Sequence, residues 1–284
     1  YRFRSMITTL WVQLLIISSM LAAGLVAQRG YFSQLLRRPG LLGLGLVLNL
    51  AIAPLIGVGF NHLFVLSPEV AVGFLLCAAS AGGGMATLVV MQARGDVTFA
   101  AALQVCLALG GLFTVPWFLT TFAAATVNVP YGELAIQVLL FQVLPLAVGL
   151  GLQTWAHAPQ LLRAAKVAAN LSLLVLIVGL SVEHGAKVLD NGWLALLVAL
   201  LIAVTHLCLG ALPMYASCLT AHHPHASVLP RTLAIATGNR NVSLALLLAA
   251  QYWPNATTLV AILSYFSLMF LACLAVVAWV RWRG

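Results

Sequence analysis

Long apolar runs alternate with short polar breaks along the chain, a pattern that predicts a bundle of membrane-spanning helices. The runs fall at 6–27, 40–60, 68–92, 97–126, 131–156, 165–183, 192–216, 227–250 and 257–280. Each approaches or exceeds the ~20 residues a helix needs to cross the hydrocarbon core. The breaks are too short for a separate soluble domain. The expected fold class is an all-α polytopic membrane protein of nine transmembrane helices.

Composition agrees. Of the 284 residues, 63% are hydrophobic and 6% charged, with a mean hydropathy of +1.09. A soluble domain carries about a quarter charged residues; this chain has too few to cover itself for water, so its solvent is lipid. The net charge of +8 does not point to nucleic acid, because Lys and Arg sit between the apolar runs and not in a stripe. Their distribution sets orientation instead. Arg29, Arg37, Arg38, Arg94, Arg163, Lys166, Arg231, Arg281 and Arg283 fall on one side, against Arg2, Arg4 and Lys187 on the other. The richer side is the cytoplasm. The N-terminus is expected outside and the C-terminus inside the cell (inner) membrane, with Glu69, Glu133, Glu183 and Asp190 in outer loops and Asp96 in an inner one. The five cysteines lack metal-site spacing and read as reduced packing thiols. The chain opens on Tyr1, so further upstream sequence is expected; 6–27 reads as a span and not as a signal peptide.

Two runs do not read as plain helices. The third contains Ala81-Gly82-Gly83-Gly84-Met85-Ala86-Thr87. Successive glycines weaken a helix by about 1 kcal/mol each and let another backbone come close. The eighth contains Ala236-Thr237-Gly238-Asn239-Arg240-Asn241. An arginine at mid-membrane depth costs about 2.5–3.5 kcal/mol on insertion scales, so it needs a partner or a wet cavity. Glycines alone also serve close helix packing; a buried cation does not. One interrupted span in each half is the pattern of inverted-repeat transporters, whose broken helices build a midplane site from freed backbone groups.

The order and spacing of several motifs resemble the bile acid:sodium symporter family. The resemblance rests on Met20–Leu25 with Leu35–Pro39, Asn49–Pro54, Gly83–Leu88 followed by Ala93-Arg94-Gly95-Asp96-Val97, Pro145–Gly149, and Ala236–Asn241. It implies two inverted five-helix repeats forming a panel and a core, with two broken helices that cross. The third and eighth spans here correspond to the crossing helices. Nine spans then mean that the first family helix is absent, with 1–128 as a four-span repeat and 129–284 as a five-span repeat. Gly83, Gly84, Thr87, Gly238, Asn239 and Asn241 become the substrate and crossover residues.

The same resemblance implies two sodium sites behind the crossing, and here the sequence departs from it. The family's shared Glu falls on Ala236, and the Gln beside the terminal Asn falls on Arg240. Its Ser-Asn pair falls on Thr87 and Leu88, the Gln of the second span on Asn49, and a Ser and a Thr of the fourth span on Ala100 and Gln104. A carboxylate is gone and a cation stands beside where a cation would bind. Two sodium ions near a guanidinium repel it, so sodium binding is not expected. Arg240 either holds the crossing in place of an ion, with Asn49, Gln104, Asn239 and Asn241 completing the network, or pairs with the substrate. His206 is a candidate proton site or a packing residue. His222-His223-Pro224-His225 lacks partner ligands, and no metal or cofactor is expected. The leading expectation is a sodium-independent carrier of a small organic anion, with the lipid bilayer as its other partner and no enzymatic activity. The alternatives are a non-transporting membrane sensor of the same fold, and a sodium symporter with altered ligands.

Overall fold

A backbone in lipid has no water to bond, so each apolar run satisfies its own N–H and C=O groups by coiling. The computed structural model describes residues 2–27, 30, 36, 38–123, 129–190, 192–221 and 228–283, with the side chains of 2–8, 180–192, 213–221 and 283 outside that description. Its elements are helices: α1 Arg2–Val26, α2 Pro39–Leu63, α3 Pro68–Ala79, α4 Ala86–Gln92, α5 Val97–Phe122, α6 Tyr131–Thr154, α7 Ala158–Asp190, α8 Gly192–Ala221, α9 Val228–Gly238, α10 Val242–Tyr252 and α11 Ala256–Arg283. No strand occurs among the described residues.

Eight stretches among the described residues are long and apolar enough to cross a membrane, α9 and α10 together making one of them. They correspond to eight of the predicted runs. The remaining run, 68–92, forms two short helices, α3 and α4, separated at 80–85. The polar segment at 183–190 was expected as a loop; instead α7 continues to Asp190, because Glu, Lys and Leu are good helix formers whatever their hydropathy. Glu69 and Glu133 lie in the first turns of α3 and α6, and Asp96 caps α5. These are helix N-termini, where negative charge is favoured, and not free loops. Arg29, Arg37, the 128–129 repeat boundary on its Asn128 side, and His222–His225 lie outside the described residues.

α1 packs along α6 and α7, α8 packs along α9 and α11, and α3 lies against α11. Gly24 of α1 and Gly149 of α6 bring two backbones together: a Cβ on either would stand 2.9 Å from a backbone nitrogen of the other helix. Burial runs against hydropathy. The α9–α10 stretch is the least apolar of the eight, yet 89% of it is buried, against 22% of the α7 span. A polar span is tolerated only where other helices keep it from lipid.

Two helices carry a wide turn. α2 is π-helical over Leu48–Ile52 and α6 over Leu139–Val143, each just before a proline, Pro54 and Pro145. In α2 the Ala53 N–H bonds the Leu48 carbonyl, five residues back. The next bond in that register would run from residue 54 to Asn49. Proline has no N–H, so the Asn49 carbonyl is left for another donor.

Residues 92–96 tie several helices at one end of the bundle. Asp96 caps α5 by accepting the Phe99 N–H at 2.9 Å, and its own N–H donates to the Thr232 hydroxyl of α9 at 2.8 Å. Arg231 donates to the Arg94 carbonyl at 2.6 Å, Arg281 of α11 to the Gln92 carbonyl at 3.3 Å, and Arg38 stands 3.8 Å from the Asp96 carboxylate. Thr232 is fully buried. Thr232→Val keeps its shape and orphans the Asp96 N–H, so thermal unfolding in detergent should report a loss of about 1–2 kcal/mol, with Thr232→Ser close to wild type.

Candidate functional site

The two interruptions meet. The segment 80–85 between α3 and α4 touches the segment 239–241 between α9 and α10, and the Asn241 N–H donates to the Ser80 carbonyl at 2.8 Å. Gly82 has φ +78°, a conformation that favours glycine. Gly83 lies against the other chain segment: a Cβ there would stand 2.8 Å from the Arg240 carbonyl oxygen and 3.2 Å from Asn241 Cα. Gly84 lies against α1, with a Cβ position 2.9 Å from the Ser19 carbonyl.

Arg240 is 2% exposed, and its guanidinium donates to one side-chain amide oxygen and two backbone carbonyls. Nη1 donates to Asn49 Oδ1 at 3.0 Å, and Nη2 to the Asn49 carbonyl at 3.1 Å and to the Ala78 carbonyl. The Asn49 carbonyl is the one that Pro54 leaves unbonded. The Ala78 carbonyl belongs to the last turn of α3, whose final carbonyls lack helical partners and carry the negative end of the dipole. The guanidinium therefore caps α3 and closes the gap in α2 at once. Asn49 completes the arrangement by donating Nδ2 to the Gly45 carbonyl at 2.9 Å and to the Thr237 hydroxyl at 3.1 Å. The Arg240 N–H meets Met269 Sδ of α11 at 3.2 Å. Among the described residues no carboxylate pairs with Arg240.

The remaining expected residues divide. Thr87 of α4 donates to Gln104 Oε1 of α5 at 2.9 Å. Gln104 thus joins Thr87, not Arg240. Asn241 also points away from Arg240: its Oδ1 caps α10 by accepting the Leu244 N–H at 3.2 Å and the Ser243 hydroxyl at 2.7 Å, and its Nδ2 donates to Gln142 Oε1 of α6 at 3.3 Å. Asn239 is buried at the end of α9, its Nδ2 without a partner among the described residues. Of the expected network only Asn49 reaches Arg240. Gly238 ends α9 against Leu207. Ala100 and Ala236 are buried, and Leu88 is half-buried on α4; none brings an oxygen-bearing side chain. His206 bonds with both ring nitrogens, Nε2 to the Ala53 carbonyl at 3.0 Å and Nδ1 to the Tyr265 hydroxyl at 3.2 Å. A carbonyl only accepts, so Nε2 carries a proton, while the Tyr265 hydroxyl can give or take the bond at Nδ1. The ring joins α8, α2 and α11.

Gln142, Ser243, Met269 and the Ala78 carbonyl were not among the residues singled out from sequence, and Thr237 was read only as part of the eighth run, with no role of its own. A glutamine alone in an apolar run, three residues before Pro145, was the signal for Gln142.

The profile of the Sodium Bile acid symporter family matches residues 13–191, more than half of the chain. A chloroplastic probable sodium/metabolite cotransporter of Oryza sativa subsp. japonica is 26% identical over 268 residues, 93% of this chain and 62% of its own length. An uncharacterized sodium-dependent transporter of Bacillus subtilis (strain 168) is 28% identical over 131 residues, 46% of this chain and 41% of its own. A second chloroplastic probable sodium/metabolite cotransporter of the same rice is 24% identical over 240 residues, 82% of this chain and 55% of its own. The chain thus spans less than two thirds of the length of each of these relatives. With a matching profile, all-helical architecture and eight apolar stretches of membrane-crossing length, this chain belongs to the Sodium Bile acid symporter family.

Proposed function

We propose that the chain is a secondary carrier of a small organic anion, in which Arg240 holds the crossing of two broken helices in place of a bound sodium ion. The stretch 68–92 is then the ninth crossing, made of two half-helices. The repeats are 1–128 and 129–284, grouped as panel and core, with the N-terminus outside and the C-terminus cytoplasmic in the cell (inner) membrane. The relatives' names and the family's speak for transport and against an enzyme.

The observation that carries this reading is the guanidinium bonded to both Asn49 oxygens and the Ala78 carbonyl. Sodium wants hard oxygen ligands. At the positions the family resemblance assigns to sodium, Asn49 Oδ1 is taken by Arg240, the Thr87 hydroxyl and Gln104 Oε1 are bonded to each other, and Ala236, Leu88 and Ala100 offer no side-chain oxygen. These residues do not fit the ion. A fixed positive charge beside the breaks favours an anion. Arg240 faces α2 and α3 while Asn241 faces α6, which favours Arg240 as a support behind the substrate and not as its direct partner.

The test is thermal stability of purified protein with sodium replaced by potassium or choline at constant ionic strength, beside Arg240→Gln. The wild type is expected to ignore the exchange and the variant to melt lower. Clear stabilisation of the wild type by sodium would overturn the reading. It would favour the second one, a symporter with altered ligands, to which the relatives' names point.

A further inference from the structure

Gln142 makes a second polar contact at the breaks, from α6 and away from Arg240. It is fully buried in the π-turn. Its neighbours fix which way its amide lies. Asn241 Oδ1 accepts the Leu244 N–H and the Ser243 hydroxyl, so the other atom of that amide is the NH2 donor. This donor faces Gln142 Oε1 at 3.3 Å. Gln142 Nε2 is then turned to the Ala81 carbonyl, at 3.5 Å. One carboxamide spans both breaks, giving an acceptor to one and a donor to the other.

The contact joins α6, which is held to α1 through Gly24 and Gly149, to the breaks carried by α3–α4 and α9–α10. On the carrier reading, alternating access moves one bundle against another around a fixed site, and a shift of α6 relative to the breaks would part Gln142 from them. The groups it leaves, an amide N–H and a carbonyl oxygen, then need new partners, because buried polar groups left unpaired are costly.

Building on the carrier reading, we infer that Gln142 is a placeholder for substrate: its carboxamide holds Asn241 Nδ2 and the Ala81 carbonyl in the empty carrier, and the transported anion displaces it. Such an anion must offer an acceptor to Asn241 and a donor to Ala81. A carboxylate with an adjacent hydroxyl or amide N–H has both; a plain carboxylate has only the acceptor. Gln142 therefore competes with substrate and sets what can replace it.

The experiment is uptake of labelled 2-hydroxybutanoate and of butanoate into proteoliposomes holding wild type, Gln142→Leu, Gln142→Asn or Gln142→Glu. The wild type is expected to prefer the hydroxy acid. Gln142→Leu keeps the volume and removes both competing bonds, so the half-saturating concentration of the hydroxy acid should fall about tenfold, the worth of two long hydrogen bonds at the low end of the net range. The preference over butanoate should persist, since Asn241 and Ala81 are intact. Gln142→Asn, too short to span both breaks, moves the same way and serves if the leucine variant does not fold. Gln142→Glu, with a negative charge and no donor for Ala81, should raise the half-saturating concentration. An unchanged or higher value in both Gln142→Leu and Gln142→Asn overturns the placeholder role. Equal uptake of both acids by wild type, or of neither, overturns the substrate class and leaves the carrier reading to its sodium and Arg240 test.

Discussion

Arg240→Leu is expected to destabilise the protein by about 4 kcal/mol, the largest loss for any substitution among these polar residues. The guanidinium meets three buried acceptors, Asn49 Oδ1, the Asn49 carbonyl and the Ala78 carbonyl. Bonds from a charged donor contribute about 1.5–3 kcal/mol each, and a buried acceptor left bare costs about 1–3 kcal/mol. The sum overshoots, because leucine also relieves the desolvation of a buried charge. Neither carbonyl has a helical fallback: Pro54 has no N–H to give Asn49, and α3 has ended beyond Ala79. Arg240→Lys keeps the charge but not the planar fork, and a point donor does not serve acceptors spread over α2 and α3. About half the loss should remain. Reversible unfolding in mixed detergent measures both; an Arg240→Leu protein that unfolds with the wild type would show that the clasp does not hold the breaks together.

The sequence made the apolar framework legible because lipid imposes one demand on every span, a run of about 20 apolar residues. Helix ends were less legible. Hydropathy marks Glu183, Lys187 and Asp190 as a loop, whereas the backbone there goes on coiling to Asp190. The breaks at 80–85 and 239–241 were visible as glycines and as Asn-Arg-Asn in apolar surroundings. Their pairings were not. Helical periodicity says which way a side chain points only while the helix lasts. In 239–241 it has stopped, so Arg240 turns to α2 and Asn241 to α6, and a network of all the nearby amides was the wrong expectation. Gln104 was expected beside Arg240, but its Oε1 takes the Thr87 hydroxyl across the α4–α5 interface. The π-turn in α2 was hidden as well. Pro54 was plain in the sequence, but only the i to i−5 register shows that the carbonyl it frees belongs to Asn49.

Gly83→Ala is the second large expected effect, and it tests the contact between the breaks without touching a polar group. A Cβ at this position would meet the Arg240 carbonyl oxygen at 2.8 Å, the Arg240 carbonyl carbon at 3.0 Å and Asn241 Cα at 3.2 Å. All three are backbone atoms, so no side chain can rotate away. Relief requires the two segments to separate, and separation lengthens the Asn241 N–H to Ser80 bond, now 2.8 Å. It also draws the Arg240 backbone away from α3, whose last turn its side chain caps. Overpacking of this kind costs about 1–3 kcal/mol, and Gly83→Leu should go beyond that and abolish transport. The control is Gly43→Ala, an exposed position of α2 where an added Cβ meets nothing within 4 Å. There alanine should stabilise slightly, by up to about 1 kcal/mol of helix propensity. Opposite signs at two glycines, read by the same unfolding assay, would tie the loss at Gly83 to the backbone contact. If Gly83→Ala unfolds with the wild type, the two segments have room to spare, and the clasp by Arg240 must hold them across a looser junction than the one described.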